Sequence, residues 1–130
     1  MSTVQAVSFS DVAVHSELDR CSDVELDALT FGVIGMDEGG VVERYNSFES
    51  KAAGLSRERV IGQSLFAAVA QCMNNFMVAQ RFDDALANGT TLDAAIDYVL
   101  TLRMRPDKVK LRLLAAPGVA IRYVLVQRRT

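Results

Sequence analysis

Three side chains of this chain have types and positions that could do chemistry: Cys72, Tyr45 and Glu49. Cys72 stands between an alanine-rich apolar run and the pair Asn74–Asn75. A thiolate there would be a nucleophile or an attachment point; a buried thiol would simply pack as a small hydrophobe. No histidine or flanking base marks it as activated. Tyr45 and Glu49 sit four residues apart in "YNSFE", with a helix expected to begin between them. On a helix that spacing carries a phenol and a carboxylate to one face. Residue statistics alone would leave Glu49 on the surface.

The inventory narrows the chemistry further. His15 is the only histidine, and Cys21 is the only other cysteine. There is no Cys-x-x-Cys and no Cys/His spacing, so a zinc site or a histidine-based triad has no residues to build it. "GMDEGG" has glycines but neither dinucleotide nor Walker spacing. Met36, Met73, Met77 and Met104 read as core residues. No catalytic constellation emerges, and an enzyme is not expected. The net charge is −2, against the basic excess of most nucleic-acid binders. The basic stretches "RMRPDKVKLR" and "RRT" read as the solvated face of a hairpin.

The elements that must position these residues follow from pattern. With 130 residues, half of them hydrophobic, the chain holds one domain's worth of core. Its start has no basic region followed by an apolar block, and no apolar run nears the ~18 residues of a membrane span. A reduced, cytoplasmic protein with no membrane contact is expected. Residues 1–20 lack strong periodicity and read as a loose cap. "SDVELDALT" is a short helix whose Ser22 and Glu25 form a capping box. "FGVIGMD" and "VVERYN" are strands around the turn "EGG". "SFESKAAG" is a helix stopped by Gly54, and two short turns or helices follow, broken near Gly62. A longer helix over about 75–88 places Val78, Phe82, Ala85 and Leu86 on one stripe and ends at "NG". Ile96, Tyr98, Leu100, Leu102 and Met104 alternate with mostly polar residues, as on a half-buried strand. Val109, Leu111 and Leu113 do the same, and "VAIRYVLVQ" is a last strand. Five antiparallel strands with helices on one face make an α+β domain.

That element order resembles PAS domains. Within them, the chain resembles the photoactive yellow protein family, over about residues 25–128. The resemblance is carried by "LDALTFGVIGMDEGGVVERYNSFE", by "VIGQSLFAAVAQC" and by "RMRPDKVKLRLL". It implies a five-stranded antiparallel PAS sheet with short helices on one face, residues 1–24 as an N-terminal cap, and residues 25–130 as the PAS domain. It implies a blue-light photosensor with p-coumaric acid (4-hydroxycinnamic acid) joined to Cys72 as a thioester. Tyr45 and Glu49 match the phenol and carboxylic acid that hydrogen-bond the chromophore phenolate, Met104 matches a methionine lying against it, and Phe66 joins the chromophore-binding set. Signalling would follow from trans–cis isomerisation and proton transfer from Glu49, relayed to a downstream signalling protein by a monomer or weak homodimer. The chain departs from the family pattern in four places: Ala53 replaces a threonine, Leu55 an arginine and Gln71 a proline, and the aromatic near the cysteine's loop is offered by Phe76, out of exact register. Two other readings stand beside this one: a non-photoactive PAS interaction module with Cys72 as packing, and a PAS pocket for another small ligand.

Overall fold

The computed structural model describes residues 7–101 and 106–128. Helices α1 (Val14–Arg20) and α2 (Asp23–Asp27) lead into strands β1 (Gly32–Met36) and β2 (Val42–Tyr45). Helices α3 (Ser47–Ala53) and α4 (Arg57–Val60) follow, then a π-type turn at Leu65–Val69, a 3-10 turn at Gln71–Met73 and helix α5 (Ala79–Asn88). Strands β3 (Leu92–Leu100), β4 (Asp107–Ala115) and β5 (Arg122–Arg128) close the domain. All pairings are antiparallel, in the order β2-β1-β5-β4-β3.

Most boundaries follow from local chemistry. The Ser22–Glu25 capping box forms reciprocally, with Ser22 N donating to Glu25 Oε1 at 2.8 Å and Glu25 N donating to Ser22 Oγ at 3.1 Å. Gly54 and Gly89 end α3 and α5 in the left-handed conformation, where a Cβ is costly. The longer helix starts later than the pattern suggests, because Asn75 caps the preceding turn by accepting from Met77 N and Val78 N. Leu86 leaves the apolar stripe and is half exposed, whereas Val78, Phe82 and Ala85 are buried. Strand β3 keeps the expected alternation but begins four residues early, at Leu92. Leu102 and Met104 lie outside the described residues.

Both faces of the sheet are covered, which is why every residue of β1 is buried. One face packs Ile34, Met36, Leu111, Leu113, Val124 and Val126 against Val60, Leu65, Met73, Val78 and Phe82. The opposite face packs Val33, Leu114, Tyr123 and Leu125 against Phe9, Val14, Leu18 and Leu26. The first twenty residues are therefore not loose throughout. Val14 and Leu18, one helical turn apart, are fully buried, and sheet arginines bind the carbonyls around them. Arg44 donates to Leu18 O (2.8 Å), Cys21 O (2.6 Å) and the Tyr123 hydroxyl (2.9 Å). Arg112 donates to Phe9 O (2.9 Å) and Asp11 O (2.7 Å) and grips both oxygens of Asp93 at 2.9 Å. The solvated-hairpin expectation thus fails for Arg112, which is buried, while Lys108 and Lys110 remain exposed.

Two outcomes follow. Arg44→Met strands the carbonyl of Cys21 and takes one of the two bonds from Leu18 O, which keeps the Cys21 N–H, so stability should fall by about 1–3 kcal/mol, and amides of α1 should lose hydrogen-exchange protection before those of the sheet. The Arg112 guanidinium holds the Asp93 carboxyl below its ordinary value. A carboxyl that titrates lower when folded adds stability above its unfolded value, about 3.9, and loses it as pH falls through the folded one. Asp93→Asn should flatten that acid limb in urea titrations run from pH 5 downward.

Candidate functional site

Tyr45 is the last residue of β2, and Glu49 lies in the first turn of α3. The two do not share a helix face as the spacing suggested; a strand-to-helix corner brings them together. Asn46 builds that corner. Its Oδ1 accepts from Glu49 N at 3.1 Å, capping α3, and from Val33 N at 3.0 Å. Its Nδ2 donates to Leu26 O (2.9 Å) and Phe31 O (3.0 Å). Arg57 fixes the other side, donating from Nε to Tyr45 O at 2.8 Å while Nη2 bonds Asp27 at 2.6 Å.

Both functional side chains are removed from water, Tyr45 at 3% exposure and Glu49 at 1%. The surface placement that residue statistics favour for Glu49 is thereby overturned: the helix N-terminus buries it over β1. It fits because position 32 is glycine; a Cβ there would stand 2.0 Å from Glu49 Oε1. Burial pushes the Tyr45 phenol well above its ordinary value, and the neighbouring Glu49 adds to that. Burial likewise raises the Glu49 carboxyl, and this outweighs the opposing pull of Arg128. Arg128, from the end of β5, meets Glu49 end-on: Nη1 to Oε1 at 2.6 Å and Nη2 to Oε2 at 3.1 Å. The Tyr45 hydroxyl has no hydrogen-bond partner among the described residues.

Cys72 lies in the 3-10 turn, partly buried, and packs against the same core cluster that contains Tyr45. Phe66 and Leu55 pack on that cluster too, and the Phe66 ring stands 6.2 Å from Phe82. The backbone of Cys72 is held in place: the Tyr98 hydroxyl donates to Cys72 O, and Asn75 Nδ2 donates both to that carbonyl (3.1 Å) and to the Tyr98 oxygen (2.6 Å). Gln71 reaches back to Ala67 O at 2.8 Å, closing the preceding turn. Met104 lies outside the described residues. Leu55 brings no cation, and the guanidinium at this site comes from Arg128 instead.

Sequence reasoning missed Asn46, Gly32, Arg128, Tyr98 and Asn75. An N-cap signal was present for Asn46, three residues before Glu49. Arg128 gave none, since its partner lies 79 residues away.

No family model matches the chain. It is 34% identical over 122 residues to the photoactive yellow protein of Halochromatium salexigens, spanning 94% of this chain and 97% of that protein. It is 30% identical over 125 residues to that of Rhodothalassium salexigens, spanning 96% and 99%. In structure it resembles the photoactive yellow protein domain of the sensor histidine kinase Ppr from Rhodospirillum centenum. That match has a TM-score of 0.78 and 40% identity, covering 88% of this chain and 98% of that domain. The PAS domain of the Cronobacter turicensis quorum-sensing receptor RpfR, at 15% identity and a TM-score of 0.57, shares the fold.

The close seat of Glu49 over β1 has a direct test. Gly32→Ala places a methyl inside the volume of the Glu49 carboxylate, so unfolding in urea should show a loss of about 1–3 kcal/mol. An unchanged midpoint would mean that α3 rides freely over the strand.

Proposed function

Since the chain belongs to the photoactive yellow protein family, we propose that it is a PAS-type blue-light photosensor with a p-coumaroyl (4-hydroxycinnamoyl) group in thioester linkage to Cys72. The observation that carries this reading is the burial of Tyr45 and Glu49 together, with a phenol donor unpartnered among the described residues, on the core against which Cys72 packs. The donor set suits a phenolic anion. Such a group is costly to bury unless hydrogen-bond donors surround it. Tyr45 donates through its hydroxyl, and the raised phenol keeps that proton in place.

When bound, the group supplies light absorption and trans–cis isomerisation of its vinyl bond. The chain's own residues do the rest. Glu49 donates only while its carboxyl is protonated, and burial favours that form. Tyr98 and Asn75 fix the Cys72 carbonyl and so orient the thiol. Phe66 contributes to the apolar wall. On giving up its proton to a bound phenolate, Glu49 would become a buried carboxylate, a local charge change to which the surrounding packing must respond. Residues 1–24 are the cap that responds, over a PAS domain of residues 25–130. The receiver is a separate signalling protein; a sensor histidine kinase carries the related domain from Rhodospirillum centenum. The protein acts in the cytoplasm as a monomer or weak homodimer and catalyses no reaction.

Reconstitution tests this. Protein treated with an activated p-coumarate should turn yellow and gain the mass of one coumaroyl group, removable by hydroxylamine. Cys72→Ala should stay colourless, and Glu49→Gln should absorb further to the red. Modification of Cys21 instead, or no adduct, would sink the reading.

A further inference from the structure

The carboxylate of Glu49 accepts two parallel N–H bonds from one guanidinium, Arg128, at 2.6 and 3.1 Å. Glu49 is buried and Arg128 mostly so, with side-chain exposures of 1% and 11%. Fork-on-fork geometry of this kind recognises an ionised carboxyl. A protonated carboxyl has an O–H where one of these acceptors must be, and that O–H would face an N–H. Glu49 therefore cannot be the protonated donor described above and keep both bonds to Arg128. The site has two arrangements, distinguished by one proton.

The surroundings show what the ionised arrangement joins. Arg128 follows Val124 and Val126 at strand spacing, so it lies on the same sheet face as the candidate site. Its remaining donor, Nε, reaches Asp107 Oδ2 at 3.2 Å, at the first residue of β4. One guanidinium thus binds α3, β4 and β5. The charged and titratable groups facing Glu49 are Tyr45 from β2, Asp107 from β4 and Arg128 from β5. From β1 comes only Gly32, and Lys51 of its own helix is exposed. Burial and Asp107 raise the carboxyl while Arg128 lowers it, so without the cation its surroundings all favour the proton.

We infer that Arg128 is the built-in counter-ion of Glu49: a positioning residue that captures the carboxylate whenever Glu49 has no proton and so ties helix α3 to the last strand. The capture deepens the photosensor reading and rests on it for which arrangement follows light. The ion pair itself does not, because it involves only residues of this chain. A buried pair also carries an asymmetry: removing one partner leaves an uncompensated charge that must be neutralised by a proton.

The test uses the full chain free of chromophore, with carbon-13 carboxyl-labelled glutamate. Glu49 is assigned by its absence in Glu49→Gln and titrated by NMR, with the infrared carboxyl bands as a second readout. Wild-type Glu49 should be ionised at pH 7. Arg128→Gln should raise its midpoint by about one pH unit or more, a tenfold change in proton affinity. Arg128→Lys should restore part of the shift, because an ammonium keeps the charge but not the fork. Asp107→Asn should lower the midpoint by removing a like charge. A protonated Glu49 at pH 7 in the wild type overturns the inference, and this measurement holds even where Arg128→Gln does not fold. Equal midpoints in wild type and Arg128→Gln overturn it as well. A failure to load Cys72 would defeat the photosensor reading yet leave every one of these titrations unchanged.

Discussion

The structure depends on the side-chain amide of Asn46. It is buried at 1% exposure and makes all four hydrogen bonds an amide readily offers, two as acceptor and two as donor. Its partners are the backbone of β1, the first turn of α3, the end of α2 and the residue before β1. A buried amide left unsatisfied costs on the order of 1–3 kcal/mol for each missing bond. These four segments are therefore fixed to one another as a unit. The placement of Glu49 is a consequence: once α3 starts at Asn46, its third residue must lie over Gly32, and only glycine leaves room.

A second theme is the use of arginine where other folds use apolar packing. Arg44 and Arg112 project from the sheet and bind backbone carbonyls of the N-terminal segment. Arg122 does the same for Asp37, Glu38 and Phe82, with its guanidinium over the Phe82 ring at 5.4 Å. A planar fork of five donors can serve several carbonyls at once, which a lysine cannot. The N-terminal segment is thus held by apolar burial and by directed polar bonds together. Strand β5 serves both faces, with Tyr123 and Leu125 toward this segment and Val124, Val126 and Arg128 toward the candidate site. Cap and site are separated by one layer of sheet.

Much of the fold was legible in the chain because its signals are local. The Ser22–Glu25 box, the stops at Gly54 and Gly89 and the alternation through β3 and β4 each depend on residues within a few positions of one another. The pair Tyr45 and Glu49 was found by its types, but the reason for its proximity was misplaced. A helix face was expected, and a capped strand-to-helix corner does the work. Helix α1 was missed because only Val14 and Leu18 carry its pattern, and its stability comes from the sheet beneath and the arginines around it.

By itself the sequence determined the element order from α2 onward, the antiparallel α+β class, the resemblance to the photoactive yellow protein family and the identity of Cys72, Tyr45 and Glu49 as the residues to watch. Periodicity, capping and residue chemistry are properties of short segments, so they survive without coordinates. Only the tertiary structure decided the charge environment. A basic residue near the end of a strand looks like solvent-facing charge until its partner is known, and the partner of Arg128 is 79 positions away. Whether a carboxylate is exposed, paired or stripped of water depends on what the folded chain brings within a few ångströms of it, because Coulomb attraction and desolvation both act at that range.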